Sequence, residues 1–167
     1  MPLTALLIFL YLLAIVVANL SVGYFGPTAL VFTAWALIPF DLTVKDTLQE
    51  HWTGRGVVVR LGALVLTGSA LSAALSMSAH QIALASFAAF SMSGLVDSLI
   101  LAKMEHYPKL VRVNGSNVGG AVVDSLVFQL VAFGTVSPWL FVWQSGAKLL
   151  GGFVWSLILN RVLWRKP

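Results

Sequence analysis

The amino-acid sequence predicts an all-α, polytopic membrane protein that forms a single domain over residues 1–167. Composition and hydropathy lead to this fold class. Apolar residues make up 59% of the chain and charged residues only 10%, and the mean hydropathy is +0.92. Soluble domains carry about 25% charged residues, so a soluble fold with this composition could not cover its surface. Disorder is excluded as well, because disordered chains have low hydrophobicity.

Six apolar runs are long enough to form transmembrane helices. A helix that crosses the hydrocarbon core needs about 20 mostly apolar residues. We expect six such helices, at residues 3–20, 23–40, 56–76, 82–102, 118–136 and 138–159. The segment 41–52 interleaves apolar and charged residues. This pattern favours a short amphipathic helix at the inner membrane interface, with a hydrated loop as the alternative.

The distribution of basic residues predicts the orientation of these helices. Nine of the ten Lys and Arg residues lie near the connectors after the second and fourth helices or in the C-terminal tail. With six spans, those segments and the N-terminus share one side of the membrane. Cytoplasmic segments carry the excess of Lys and Arg, so we expect both termini in the cytoplasm of a multi-pass inner-membrane protein. The same pattern accounts for the net charge of +4 without a nucleic-acid partner.

The sequence motifs argue against an enzyme. The chain has no cysteine, and its three histidines, His51, His80 and His106, are far apart. It contains no GxSxG or HExxH motif and no phosphate-binding loop. We therefore predict no catalytic residue, no metal ligand and no cofactor.

Polar side chains inside the predicted helices are the candidates for function. An ionised group at bilayer depth is costly and usually faces the bundle interior or a wet cavity. At a rise of about 1.5 Å per residue, Asp97 and Asp124 reach nearly the same depth, and Lys148 lies near the bilayer centre. The predicted substrate-binding residues are Asn19, Asp97, Asn117, Asp124, Phe128, Gln144 and Lys148.

Two charged residues at the predicted inner end of the second helix, Asp41 and Lys45, are candidates for gating or coupling. Asp41 has an alternative interpretation as a simple helix-end charge. For Asp97, Asp124 and Lys148, the alternative is a buried ion pair that only holds helices together. Such pairs are weak evidence for stability, because desolvation offsets the Coulomb attraction. For Asn19, the alternative is a simple hydrogen bond across helices.

An ordered set of motifs resembles a known family. The segment 40–45, Phe-Asp-Leu-Thr-Val-Lys, closes the second helix, and Asn19 lies late in the first. The stretch 85–133 and Lys148 complete the set. Together they resemble the VUT family of queuosine precursor transporters, which import 7-cyano-7-deazaguanine. The chain departs from that family at Lys45-Asp46, where an Arg followed by an apolar residue is more usual.

The resemblance implies a 7-deazapurine substrate, with the lipid bilayer as the other partner and a homo-oligomer left open. A carboxylate can accept the N1–H and the exocyclic amine of a deazaguanine together, and Asp124 or Asp97 is the candidate. Lys148 would donate to O6, and Asn117 or Gln144 would bind the remaining edge. Rings that could stack on the base are Phe128, Phe90 and Trp155.

Two other functions remain open at this level. The chain could be a substrate-binding subunit of an energy-coupling vitamin importer, with Ala14 and Ala18 as a docking surface for a partner helix. It could instead be a non-transporting structural membrane protein. Proton-coupled and facilitated transport are not distinguished by the sequence.

Overall fold

The computed structural model describes residues 3–52 and 56–159, which form an all-α fold. Its six helices are α1 (Leu3–Phe25), α2 (Pro27–His51), α3 (Val57–Leu75), α4 (His80–Lys103), α5 (Lys109–Phe133) and α6 (Pro138–Leu159). A 3₁₀ turn at Met77–Ala79 joins α3 to α4. No strand occurs in these two ranges, and the predicted all-α class is confirmed. Basic residues of the predicted orientation that lie outside the described ranges are Arg55, Arg161, Arg165 and Lys166.

The helices pack as a ring in the order α1, α2, α6, α5, α4, α3, and α3 closes the ring against α1. The connections are short. Between α1 and α2 the chain turns at Gly26, whose φ of 67° lies in the region that glycine adopts without steric cost. Pro27 then begins α2, where its missing N–H is tolerated. The ring places one face of every helix towards a shared interior.

Within the described ranges, four segments are long and apolar enough to cross a membrane: Leu3–Phe25, Pro27–Lys45, Met77–Lys103 and Leu110–Phe133. In α3 the apolar part is the shorter segment Val59–Leu75. Large apolar side chains such as Phe9, Phe32 and Leu84 are exposed on the outside of the bundle, as expected for a surface that faces lipid. The chain is therefore a multi-pass membrane protein, and the count of six spans stays a prediction.

The predicted interface segment 41–52 is instead the last part of α2, which continues to His51. Val44 and Leu48 are buried in a core cluster with Tyr11 and Ile15 of α1. Burying these apolar side chains against α1 stabilises the helical continuation, so the segment is not a separate helix. This extension carries Lys45 into the bundle, where its side chain is only slightly exposed.

The start of α5 also differs from the prediction. The helix begins at Lys109 rather than at residue 118. The early residues are polar, which predicts a loop, but several of them face other helices. Asn114 donates through Nδ2 to Ser156 Oγ of α6 at 3.3 Å, and Ser116 is fully buried. Contacts with α6 therefore replace the water that such residues would otherwise need.

Two glycines let helices approach closely. A Cβ at Gly68 of α3 would lie 2.9 Å from Ile15 Cγ2 of α1. A Cβ at Gly151 of α6 would lie 2.5 Å from Pro39 Cγ and 2.8 Å from the Trp35 carbonyl oxygen of α2. At both glycines a Cβ atom would be too close to the neighbouring helix. Gly68 therefore permits the observed α1–α3 separation, and Gly151 permits the observed α2–α6 separation.

Candidate functional site

Charged side chains are concentrated in the interior of the ring. Among the residues whose side chains the structure describes, the buried ionisable ones are Asp41, Lys45, Asp97, Asp124 and Lys148. They come from α2, α4, α5 and α6. Isolated charges inside an apolar bundle are costly, so they are expected in pairs. In the described ranges, no cluster of three or more His, Asp or Glu residues could hold a metal ion.

Lys148 of α6 and Asp124 of α5 form a buried ion pair. The Lys148 ammonium donates to Asp124 Oδ2 and to Ser125 Oγ at 3.1 Å. The Lys148 side chain is 1% exposed and that of Asp124 is 5% exposed. Water therefore does not screen the attraction between these two side chains.

A small cavity lies beside the Asp124–Lys148 pair, and we call it the closed cavity. Its volume is about 20 Å³, which is room for about one water molecule. Five of the seven predicted substrate-binding residues line it: Asn19, Asp124, Phe128, Gln144 and Lys148. Their convergence on one cavity supports the idea that they act together.

Asn19 joins three helices at the closed cavity. Its Nδ2 donates to Ser72 Oγ of α3 at 3.1 Å, and its Oδ1 accepts from Ser86 Oγ of α4. Gly68 and Ser72 of α3, one turn apart, have the small-residue spacing that permits close helix packing. Asn19 therefore orients the cavity wall as well as lining it.

Gln144 is fixed by a glutamine that the sequence pattern does not single out. Gln129 Nε2 donates to Gln144 Oε1 at 3.0 Å, and Gln129 Oε1 accepts from the Ser137 backbone N–H at 3.1 Å. Gln129 lies five residues after Asp124, off the helical stripe of Asn117, Asp124 and Phe128. Its only sequence signal is that it is an amide within an apolar run.

Asp97 and Asn117 are not among the residues that line the closed cavity. Asp97 accepts from Lys45 of α2 through Oδ2, and its Oδ1 lies 3.7 Å from the position of a Cβ at Gly120. Asn117 Nδ2 lies 3.6 Å from the position of a Cβ at Gly152. A role for Asp97 and Asn117 in substrate binding therefore stays a prediction.

Asp41 is fully inside the bundle rather than at a helix end. It lies ten residues before the end of α2 and is 1% exposed. Neither of its carboxylate oxygens has a hydrogen-bond partner among the described residues. Electrostatic interactions reach it from Lys45, one turn later on α2, and from Asp124. We call Asp41, Lys45 and Asp97 the second charged group.

A larger cavity of about 270 Å³ lies against α3 and α4, and we call it the lateral cavity. Its wall includes Lys45, Tyr11, Gly62, Ser93 and Ser98. Phe90 forms part of the wall of both this cavity and the closed cavity.

The all-α bundle and its lipid-facing apolar surface define a polytopic membrane protein with buried charges around a cavity. The chain belongs to the family described as "Putative vitamin uptake transporter", whose family model matches residues 4–164. No curated protein and no solved structure matches the chain. The family is one of transporters, not of enzymes, and it implies a small-molecule substrate and a lipid environment.

Proposed function

We propose that the chain imports a queuosine precursor, 7-cyano-7-deazaguanine or a related 7-deazapurine, across the inner membrane. The observation that carries this proposal is the position of the Asp124–Lys148 pair on a cavity that also presents Gln144 and an aromatic ring, Phe128. Asp124 supplies a hydrogen-bond acceptor, Lys148 and Gln144 supply donors, and Phe128 supplies a stacking surface. A deazaguanine needs the same set, and the motif resemblance of segment 40–45 points to the same substrate.

The recognition chemistry can be assigned to individual atoms. The Asp124 carboxylate would accept the N1–H and the exocyclic amine as two parallel, charge-assisted hydrogen bonds. Lys148 would donate to O6, and the Gln144 amide would bind the remaining edge. Phe128 would stack on the ring, a contact worth about 1–3 kcal/mol per base. Asp97 and Asn117 would contribute at another stage, since they do not line this cavity.

Substrate binding requires the closed cavity to open. Pockets for small molecules have volumes of about 300–1,000 Å³, whereas this cavity has about 20 Å³. Lys148 donates to Asp124 in this arrangement, so the substrate would have to separate the two groups as the cavity widens. A movement of Phe90 would connect the closed cavity to the lateral cavity of about 270 Å³ and give the substrate a path.

We also propose that all six helices cross the membrane, with both termini in the cytoplasm. The position of α6 supports this count. It packs between α2 and α5, and its Lys148 pairs with Asp124 inside Leu110–Phe133, a segment long and apolar enough to span. Since α3 closes the ring between α1 and α4, it would cross at the same depth.

The structure does not support the docking surface that was one basis of the alternative function, a substrate-binding subunit of an energy-coupling importer. Ala14 and Ala18 would form the docking surface for the partner helix. Both are buried in the bundle, at 5% and 4% exposure, and Ala18 lines the closed cavity. We therefore favour a transporter that works without a partner protein.

Uptake by proteoliposomes that contain only this protein tests the proposal. We expect accumulation of labelled 7-cyano-7-deazaguanine by the wild type and none by Asp124→Asn or Lys148→Ala liposomes with equal protein content. The exposed residue Lys103 provides the control variant, Lys103→Ala, which should transport normally. Transport that appears only after a membrane scaffold and ATPase are added would support the alternative function. Normal uptake by both site variants would show that the site is wrongly assigned.

A further inference from the structure

The five buried charged residues, counted over the side chains that the structure describes, do not balance in charge. Three are carboxylates, Asp41, Asp97 and Asp124, and two are amines, Lys45 and Lys148. If all five were ionised, these described side chains would together carry a net charge of −1 (two positive charges against three negative). An uncompensated buried charge is strongly unfavourable, and such a group gains a proton or a counter-ion instead.

The hydrogen bonds identify the residue that carries the excess. Lys148 donates to Asp124 and Lys45 donates to Asp97. Asp41 is left with neither oxygen bonded in the described part of the chain, although it is 1% exposed. A proton on one of these oxygens would neutralise the charge of the buried carboxylate without any further ligand.

We propose that Asp41 is the proton-binding site that couples substrate import to the proton gradient, with one proton carried per substrate. This inference rests on the proposed transport function and adds the coupling ion to it. The proton is taken up by the Asp41 carboxylate from the outer side and is released from the same oxygen to water on the inner side.

The surroundings of Asp41 suggest how release is triggered. Among the described side chains, Lys45 on α2 and Asp124 on α5 interact electrostatically with Asp41. The other buried titratable side chains in this set are Tyr11 on α1, Asp97 on α4 and Lys148 on α6. On α3, Arg60 is exposed and its guanidinium carbon lies 5.8 Å from the Trp52 ring centre. Lys45 is thus the nearest cation on the same helix, one turn from Asp41.

Lys45 can exchange carboxylates when α4 moves relative to α2. While Lys45 donates to Asp97, Asp41 keeps its proton. When α4 separates from α2, the Lys45 ammonium can turn to Asp41, since side chains four residues apart on a helix are neighbours. The new ion pair favours the ionised form of Asp41, and the proton leaves. The motion that opens the interior is thereby linked to deprotonation.

Two transport assays on the same proteoliposomes separate coupling from substrate recognition. Counterflow exchange of 7-cyano-7-deazaguanine at equal pH needs recognition but no gradient. Uptake driven by an acidic exterior, with the membrane potential clamped at zero, needs coupling. For 1:1 symport a gradient of one pH unit supports accumulation of up to about tenfold, because it is a tenfold ratio of proton activity. We expect wild type to show both activities and Asp41→Asn to show counterflow within about twofold of wild type but no accumulation.

The outcomes are distinct for the two proposals. Wild-type counterflow without any response to the pH gradient overturns the coupling proposal and leaves the transport function standing. Gradient-driven accumulation by Asp41→Asn overturns the role of Asp41. Absence of counterflow in every variant overturns the proposed substrate.

A substrate-independent measurement tests the proton itself. The infrared spectrum of the purified protein at neutral pH should contain the C=O stretch of a protonated carboxylic acid. This band should be absent from Asp41→Asn and retained in Glu105→Gln, which alters an exposed carboxylate. A wild-type spectrum without the band, or an unchanged band in Asp41→Asn, would overturn the proposal even if no substrate were transported.

Discussion

Lys148 and Asp124 neutralise each other across the α5–α6 contact, directly at the wall of the closed cavity. In this arrangement the two groups proposed to bind a deazaguanine are hydrogen-bonded to each other. The substrate would replace one ion pair with two sets of charge-assisted hydrogen bonds. Neither charge would be left unpaired in the bundle at any stage.

Breaking this pair from one side should destabilise the protein. Lys148→Met leaves Asp124 buried without its cation, and loss of one partner of a buried pair costs about 3–5 kcal/mol. Removing both charges in Asp124→Leu/Lys148→Met should recover most of that loss, because apolar replacements of buried pairs are often neutral. Thermal unfolding in detergent measures the stability, and uptake should be absent in both variants. A double variant no more stable than Lys148→Met would contradict the pairing.

The close α2–α6 contact at Gly151 should not tolerate a methyl group. A Cβ there would lie 2.5 Å from Pro39 Cγ, and overpacking of this kind costs about 1–3 kcal/mol. Gly151→Ala should therefore lower the melting temperature. The matched control is Gly146→Ala on the same helix, where a Cβ would meet nothing within 4 Å. Equal melting temperatures for the two variants would show that α2 and α6 are farther apart.

Phe128 should contribute to affinity through stacking. Phe128→Ala removes a ring from the closed cavity, and we expect the dissociation constant for 7-cyano-7-deazaguanine to rise about 5–150-fold, equivalent to about 1–3 kcal/mol. Phe32→Ala is the control, since Phe32 is exposed on the outside of the bundle. Titration calorimetry measures both. An effect of Phe32→Ala as large as that of Phe128→Ala would argue against stacking at this site.

Single cysteines can map the proposed topology, because the natural chain contains none. Ser78→Cys lies in the exposed turn between α3 and α4, and His106→Cys lies in the exposed connector between α4 and α5. A membrane-impermeant maleimide added to intact cells should label Ser78→Cys only. His106→Cys should be labelled after the membrane is opened. Labelling of both from outside would exclude the six-span arrangement with cytoplasmic termini.

Composition and charge spacing were sufficient to predict the all-α class and the polar residues of the interior. A lone Asp124 or Lys148 within an apolar helix has few favourable places other than the bundle centre, so its burial could be predicted. Gln129 could not be, because it lies off the polar stripe and its partner, Gln144, is on another helix.

The local sequence pattern did not predict that α2 continues past residue 40 to His51. Charges interleaved with apolar residues in 41–52 are typical of an interface helix, but Val44 and Leu48 pack against α1. That tertiary contact also brings Lys45 to Asp97. The pairing of Lys45 with Asp97, and of Lys148 with Asp124, depends on which helices are neighbours, and a single sequence does not contain that information.

The most direct test of the central claim is calorimetric titration of 7-cyano-7-deazaguanine into the wild type, Asp124→Asn and Asp97→Asn. Both variants remove one buried carboxylate that accepts from a lysine, but only Asp124 lines the closed cavity. We expect Asp124→Asn to lose measurable binding and Asp97→Asn to bind with nearly wild-type affinity. Wild-type affinity in Asp124→Asn would contradict the assignment of this cavity as the substrate site.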